Sequence, residues 1–180
     1  MKNALTRPRM FGFGVATLIF LGLKLLFRQA DTAFFQFLLA PVNFLVCLLS
    51  DSNSVYMPEQ GYYHAFYGFM IDKSCSGYNL MLLCYLMLTY LLLRYTKRAH
   101  WVLTAVPITL ALAYVFTILV NASRILMSMT FEPAMVRRVA LDEVILHEGM
   151  GIATHITFLV LLYIISETFL RRKNLHAQSV

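Results

Sequence analysis

The sequence predicts an all-α protein, a polytopic bundle of about five transmembrane helices, from its composition and its clustering of apolar residues. Of its 180 residues, 59% are hydrophobic and 13% are charged, and the mean hydropathy is +0.68. Soluble domains average about 25% charged residues, so this chain lacks the polar side chains to cover a water-facing surface. Its apolar runs approach the ~20 residues that cross a bilayer as a helix. These observations exclude a soluble enzyme, a disordered chain and a disulfide-stapled secreted domain.

Five apolar segments follow one another within a single predicted domain, 1–180. They cover approximately residues 11–27, 34–49, 78–93, 101–120 and 147–170. The polar, aromatic stretch from Ser50 to Gly77 lacks helical periodicity, which predicts an irregular loop that can contain short strands. Within this loop, His64 is expected at the surface. A mixed connector from Asn121 to Leu146 separates the fourth and fifth segments.

Basic residues at the segment ends predict the orientation. The turn between the third and fourth segments holds Arg94, Lys97 and Arg98, and residues 171–173 after the fifth are also basic. Both positions belong on the cytoplasmic side, so the loop and the connector are expected to face outward. Five spans then put the N-terminus outside; if the second segment is re-entrant, the N-terminus is inside. Because these ends account for the net charge of +6, no nucleic-acid partner is expected.

The cysteines and histidines show no metal-type spacing. Cys75 and Cys84 are nine residues apart, too far along one helix for a disulfide, so at least one thiol is expected to be free. The pair at 147–148 begins like the zinc motif H-E-x-x-H, but Gly151 occupies the position of the second histidine. His155 lies two turns beyond His147 in apolar surroundings. No metal and no cofactor are therefore expected.

The predicted topology gathers reactive residues at one membrane face. Cys75 precedes the third segment, Asn121 and Arg124 follow the fourth, and His147 begins the fifth. All of these positions are outer ends in the predicted topology. A thiol, an imidazole and a guanidinium are the groups that nucleophilic acyl transfer requires. The sequence therefore predicts a candidate catalytic site at the outer membrane surface.

Local patterns favour the same interpretation. A thiol at a helix N-terminus faces the positive end of the dipole, which favours the thiolate. The backbone N–H groups of Ser76 and Gly77 are placed to face an oxyanion. Asn121 and Arg124, three residues apart, share a helix face. The small residues Gly149, Gly151 and Ala153 form a stripe that permits close approach of a neighbouring helix.

These motifs resemble the exosortase/archaeosortase family, and most closely its small exosortase K type. Cys-Ser-Gly opening a membrane helix, Asn-x-x-Arg closing the next and His-x-x-x-Gly opening a later one match in order over roughly residues 71–163. The chain is shorter than the larger members, and Ser74 replaces the usual residue before the cysteine. The resemblance implies a membrane cysteine protease and transpeptidase in the bacterial cytoplasmic (inner) membrane.

The resemblance also implies roles for individual residues. Cys75 corresponds to the nucleophile, Arg124 to the motif arginine and His147 to the acid/base. Supporting positions are Ser76, Gly77 and Asn121. The implied substrate is an exported protein with a C-terminal sorting signal, processed at the outer face of the lipid bilayer.

Two other functions remain open from the residues alone. A non-enzymatic transporter subunit or scaffold predicts ionisable residues along the inside of the spans. Here only Lys24 is expected within a span, and the others gather at the outer ends. An acyltransferase acting on a lipid thioester uses the same cysteine and histidine and differs only in substrate. The acceptor nucleophile and the oligomeric state are not determined by the sequence.

Overall fold

A computed structural model, describing residues 7–95, 100–139 and 143–176, confirms the all-α class. Most of the described residues are helical. The five helices are α1 (Arg7–Gln29), α2 (Gln36–Ser50), α3 (Tyr78–Tyr95), α4 (His100–Val139) and α5 (Glu143–His176), with 3₁₀ turns at Thr32–Phe35 and Lys73–Ser76. Among the described residues, five helical segments are long and apolar enough to cross a membrane: Arg9–Gln29, Thr32–Ser50, Lys73–Tyr95, Thr104–Phe131 and Ile145–Lys173. By this criterion the chain is a multi-pass membrane protein.

The surface of the helices is apolar, as expected where lipid replaces water. Leu18 on α1, Leu48 on α2 and Ile165 on α5 are each at least 65% exposed. In water such side chains would favour burial by about 1.5–3 kcal/mol each. Their exposure along helices of spanning length therefore agrees with a lipid environment.

The described residues form two compact units. The first takes in residues up to 28, 79–115 and 159 onward; the second takes in 29–78 and 116–158. Helices α4 and α5 each contribute one part to each unit. Within the first unit, the hydroxyl of Thr89 lies 2.7 Å from Thr109 Oγ1. Lys24 Nζ donates to Asn79 Oδ1 at 2.6 Å, so the lysine expected inside a span has a polar partner.

The predicted irregular loop contains a small sheet, in the second unit. Strands β1 (Val55–Met57), β2 (Gly61–His64) and β3 (Phe69–Ile71) pair antiparallel in the order β1-β2-β3. Their tyrosines and phenylalanines favour the pleated, half-buried surface of a strand. The short strands that this loop was expected to contain are therefore present.

His64, expected at the surface, is fully buried at the end of β2. Its Nε2 lies 2.9 Å from Asn43 Oδ1, and its Nδ1 lies 3.2 Å from Ser52 Oγ. Because the Asn43 amide nitrogen donates to Ser54, its Oδ1 accepts the bond from His64 Nε2–H. Asn43 on α2 and Ser52, just after α2, thus satisfy both nitrogens of the buried ring. These partners lie too far along the chain from His64 for a local pattern to reveal them.

Acidification is expected to destabilise the fold through His64. Burial lowers the pKa of His64. The unfolded chain then binds the proton more readily, so the contribution of His64 to stability is present above about pH 6.5 and is lost as the pH falls below it. The unfolding temperature of the protein in detergent micelles should fall between neutral and mildly acidic pH. His64→Gln, which keeps an N–H donor but cannot titrate, should fall less; an equal fall would contradict this origin.

Helix α4 is longer than predicted. The fourth segment was expected to end at Val120, with Asn121–Leu146 as a connector, but α4 continues to Val139 and α5 already begins at Glu143. The hydroxyls of Ser123 and Thr130 donate to carbonyls four residues back, at 2.8 Å each. Such polar residues are satisfied inside a helix and do not end it. Asn121 and Arg124 therefore lie within α4 and do not close it.

Part of the predicted orientation rests on side chains that the structure does not describe. Lys97 and Arg98 lie outside the described residues. Arg94, predicted to lie in that turn, is in the last turn of α3; it is half-exposed, and its Nη1 lies 3.8 Å from Glu167 Oε1 in an ion pair. The cytoplasmic placement of this turn stays a prediction.

Candidate functional site

Cys75 sits in a 3₁₀ turn that Asp72 organises. The Asp72 carboxylate accepts hydrogen bonds from the backbone N–H groups of Ser74 at 2.9 Å and Cys75 at 3.2 Å, and from the Ser74 hydroxyl at 2.6 Å. Lys73 Nζ donates to the carbonyl of Ala30 at 2.6 Å. The bonds to Asp72 fix the turn at its start, and the bond from Lys73 ties it to the segment between α1 and α2. Cys75 is thereby held just before α3, as predicted, with 5% of its surface exposed.

Gly77 ends this turn and brings it against α4. Its φ is +69°, and a Cβ there would lie 3.0 Å from Asn121 Cγ and 3.1 Å from Thr117 Cγ2. The close approach lets the fully buried Asn121 donate a hydrogen bond from Nδ2 to the carbonyl oxygen of Cys75. The Cys-Ser-Gly and Asn-x-x-Arg motifs are thus in direct contact. This bond satisfies the amide nitrogen of the buried Asn121 side chain.

Gly77→Ala is expected to destabilise the protein more than Gly68→Ala. Both glycines have positive φ, so alanine costs about 1 kcal/mol of backbone strain at either site. Nothing lies within 4 Å of a Cβ at Gly68, whereas at Gly77 it would press on Asn121 and Thr117. We expect a further ~1 kcal/mol or more at Gly77. Unfolding free energies from denaturant titration in micelles measure the difference; equal losses would show that the contact with α4 is loose.

His147 contacts two side chains of α4. Arg124 Nη2 lies 3.2 Å from His147 Nε2, and Ser128 Oγ lies 3.1 Å from His147 Nδ1. A guanidinium can only donate, so Nε2 must accept through its lone pair. Nδ1 then carries the hydrogen and donates to Ser128 Oγ. The arrangement defines a neutral imidazole with its basic nitrogen beside Arg124.

Gly151 creates the space in which Arg124 lies. A Cβ at Gly151 would be 2.7 Å from Arg124 Nε and 3.0 Å from both Cζ and Nη2. The close approach predicted for the small-residue stripe therefore occurs at this residue. At Gly149 nothing lies within 4 Å of a Cβ, so that glycine faces open space.

The second compact unit thus joins the predicted residues in two pairs, Asn121 with Cys75 and Arg124 with His147. Asn121 and Arg124 share one face of α4, separated by about 4.5 Å of rise. The predicted contribution of Ser76 and Gly77 to an oxyanion hole stays a prediction. The Ser76 hydroxyl accepts from the N–H of Tyr78 at 3.4 Å.

Three contributing residues were missed by the sequence reasoning: Asp72 as the cap, Ser128 as the partner of His147, and Thr117 beside Gly77. A usable signal exists for two of them. Thr117, Asn121, Arg124 and Ser128 follow one another at intervals of four, three and four, which places them on one helix face. Assigning Asn121 to the end of a helix hid this pattern.

The described part of the chain contains no preformed set of metal ligands. No group of three or more His, Cys, Asp or Glu side chains is placed there to hold a metal ion. All three cysteines are free thiols, as the spacing predicted for at least one of them. The described site presents a thiol, an imidazole, a guanidinium and an amide group.

The fold and the composition define the class as a multi-pass, all-α membrane protein with buried polar contacts in its second compact unit. No protein-family model, no curated protein and no solved structure matches the chain. The resemblance to exosortases rests on three short motifs, and membership of that family stays a prediction.

Proposed function

We propose that this chain is a membrane-embedded cysteine peptidase and transpeptidase. It cleaves, and transfers, the C-terminal sorting tail of exported proteins at the outer face of the bacterial cytoplasmic membrane. The observation that carries the proposal is the pairing of separated motifs. Asn121 binds the carbonyl of Cys75 across 46 residues, and Arg124 binds His147 across 23. These two contacts bring the three motifs together in one compact unit, which supports the proposal.

In the first step, His147 Nε2 takes the proton of the Cys75 thiol, and the thiolate sulfur attacks a substrate carbonyl carbon. A C–S bond forms, and the carbonyl oxygen takes the displaced electron pair. When the oxyanion collapses, the C–N bond breaks, and the leaving amine takes the proton from His147. The products are a thioester on Cys75 and the released tail.

In the second step, an amine acceptor or water attacks the thioester. The acceptor loses a proton to His147 Nε2, the new C–N or C–O bond forms, and the C–S bond breaks. The Cys75 sulfur recovers the proton from His147. The enzyme returns to its starting state, with transfer as the result for an amine and hydrolysis for water.

The contacts of His147 support its assignment as the acid/base. Its Nε2 carries the lone pair that a base requires, and Ser128 holds the ring in that tautomer through Nδ1. Arg124 supplies a fixed positive charge beside the reacting nitrogen, where it stabilises a developing oxyanion. Arg124 must turn one N–H away from Nε2 before that nitrogen accepts the thiol proton.

Alkylation of Cys75 tests the proposal. In protein that retains either Cys75 or Cys84 as its single cysteine, we expect iodoacetamide to modify Cys75 at least about tenfold faster. Cys84 is the matched control because it is also a buried free thiol, on α3, which begins just after the turn that holds Cys75. His147→Gln should slow the reaction of Cys75 and leave that of Cys84 unchanged. If Cys75 is as inert as Cys84, or indifferent to His147, the thiol is structural, and the transporter or scaffold function takes its place.

A further inference from the structure

Arg124 carries a charge that the described structure does not neutralise. It is partly buried, within the apolar helical segment Thr104–Phe131. Among the described residues the ion pair is that of Arg94 with Glu167, and Glu148, next to His147, is exposed. A guanidinium has five N–H donors, and the bond to His147 uses one of them. Because an unpaired cation among apolar helices is costly, such a residue indicates a ligand site.

His155 provides a second group without a partner at the same place. It follows His147 and Gly151 at intervals of four residues, so all three share a face of α5. The His155 Nε2 atom is buried and has no hydrogen-bond partner among the described residues. The charge of Arg124 also acts on the His155 ring. A buried ring nitrogen without a partner is rare in folded proteins and calls for an explanation.

The space around Gly151 joins these two groups. The Arg124 guanidinium lies against the α-carbon of Gly151, between the turns that carry His147 and His155. On one side it meets His147 Nε2; its remaining donors and His155 Nε2 have no acceptor in the described structure. An anion supplies the acceptor that such groups lack.

We propose that Arg124 and His155 form a receptor for a carboxylate group. A carboxylate presents two coplanar oxygens, which match the paired N–H groups of a guanidinium, and His155 Nε2–H supplies a third donor. The bound charge neutralises Arg124 within the helices. The identification of this carboxylate as part of the substrate peptide rests on the proposed function. Its source is then either the C-terminal carboxylate or an aspartate or glutamate side chain.

Ring-nitrogen NMR of the full-length protein tests this binding without any catalytic step. The protein is labelled with ¹⁵N-histidine, carries Cys75→Ala and is placed in nanodiscs. Butyrate is the probe, and butyramide is its neutral isostere. We expect butyrate to shift the His155 signals and to raise the unfolding temperature, while butyramide does neither. His64, in the same compact unit but bonded to Asn43 and Ser52, is the internal control and should not shift.

Two variants assign the donors. Arg124→Gln should weaken the apparent affinity for butyrate about tenfold or more, and His155→Gln should weaken it about three- to tenfold. An unchanged His64 signal verifies that each variant is folded. If a variant does not fold, the comparison of butyrate with butyramide in the parent protein still decides.

The other outcomes overturn the proposal. Equal shifts with butyramide would mean an apolar cavity, and shifts with inorganic phosphate alone would mean a phosphate site. No shift of His155 with butyrate would mean that the two groups do not bind anions. Since Cys75 is absent from the test, none of these outcomes depends on whether the thiol is catalytic.

Two acetylated dipeptides separate the sources of the carboxylate. One carries only a free C-terminal carboxylate, and the other is amidated and carries only an aspartate side chain. The dipeptide that shifts His155 at the lower concentration identifies the substrate group. If neither dipeptide acts while butyrate does, the carboxylate does not come from a peptide, and that part of the proposal fails.

Discussion

Cys75→Ala is expected to abolish the processing of exported proteins, with a loss of at least about 10³-fold. Alanine removes the sulfur that forms the thioester, and no other group can take its place; removing a catalytic nucleophile has effects of this size or larger. The buried turn is held by Asp72 and Asn121 through backbone groups, which alanine retains. The protein should therefore insert and fold normally. The measurement is mass spectrometry of C-termini in exported proteins from cells that express each variant.

Cys84→Ala is the matched control for this prediction. Cys84 is a fully buried thiol on α3, outside the 3₁₀ turn that holds Cys75. The Cys84→Ala variant should process exported proteins as the unaltered protein does, even if the variant unfolds at a somewhat lower temperature. If processing survives in Cys75→Ala but is lost in Cys84→Ala, the nucleophile is Cys84 and the assignment of Cys75 is wrong. Processing that survives in both would remove thiol chemistry altogether.

Gly151→Ala is expected to reduce processing by about 10²-fold while the fold remains intact. The added Cβ would meet Arg124 Nε at 2.7 Å, so the guanidinium must move away from its place beside His147. A displacement of about 1 Å at a catalytic group costs about this factor in rate. The displaced atoms are the end of a flexible side chain, so stability should change little. The rate of release of the C-terminal tail, and the unfolding temperature of the same preparation, measure the two effects separately.

Gly149→Ala is its matched control on the same helix. The position is open, with nothing within 4 Å of the added Cβ. Alanine is a better helix former than glycine by about 1 kcal/mol, so this variant should be as active and as stable as the parent, or more stable. Equal activity of the two alanine variants would show that the place of Arg124 over Gly151 does not matter for the reaction.

A large part of the site could be predicted because its signals are local. Cys75 directly before an apolar run predicted its place before α3, and the spacing of Asn121 and Arg124 predicted a shared helix face. Gly151 was identified by its small-residue stripe. Ser128 was missed, although it lies one turn beyond Arg124, because the chain after Val120 was assigned to a connector. The polar residues after Val120 have the composition of a loop. They fit within α4 because hydroxyls such as those of Ser123 and Thr130 donate to carbonyl groups of their own helix.

The sequence by itself determined the fold class. Hydropathy and the scarcity of charge decide which solvent a chain can face, and a backbone in lipid must form helices. Only the tertiary structure decided the burial of His64 beside Asn43, the contact of Asn121 with the Cys75 carbonyl, and the place of Arg124 against Gly151. These contacts join residues 21, 46 and 27 positions apart. Periodicity and capping report on neighbours within a few turns, whereas such contacts depend on how whole helices and strands pack within a unit.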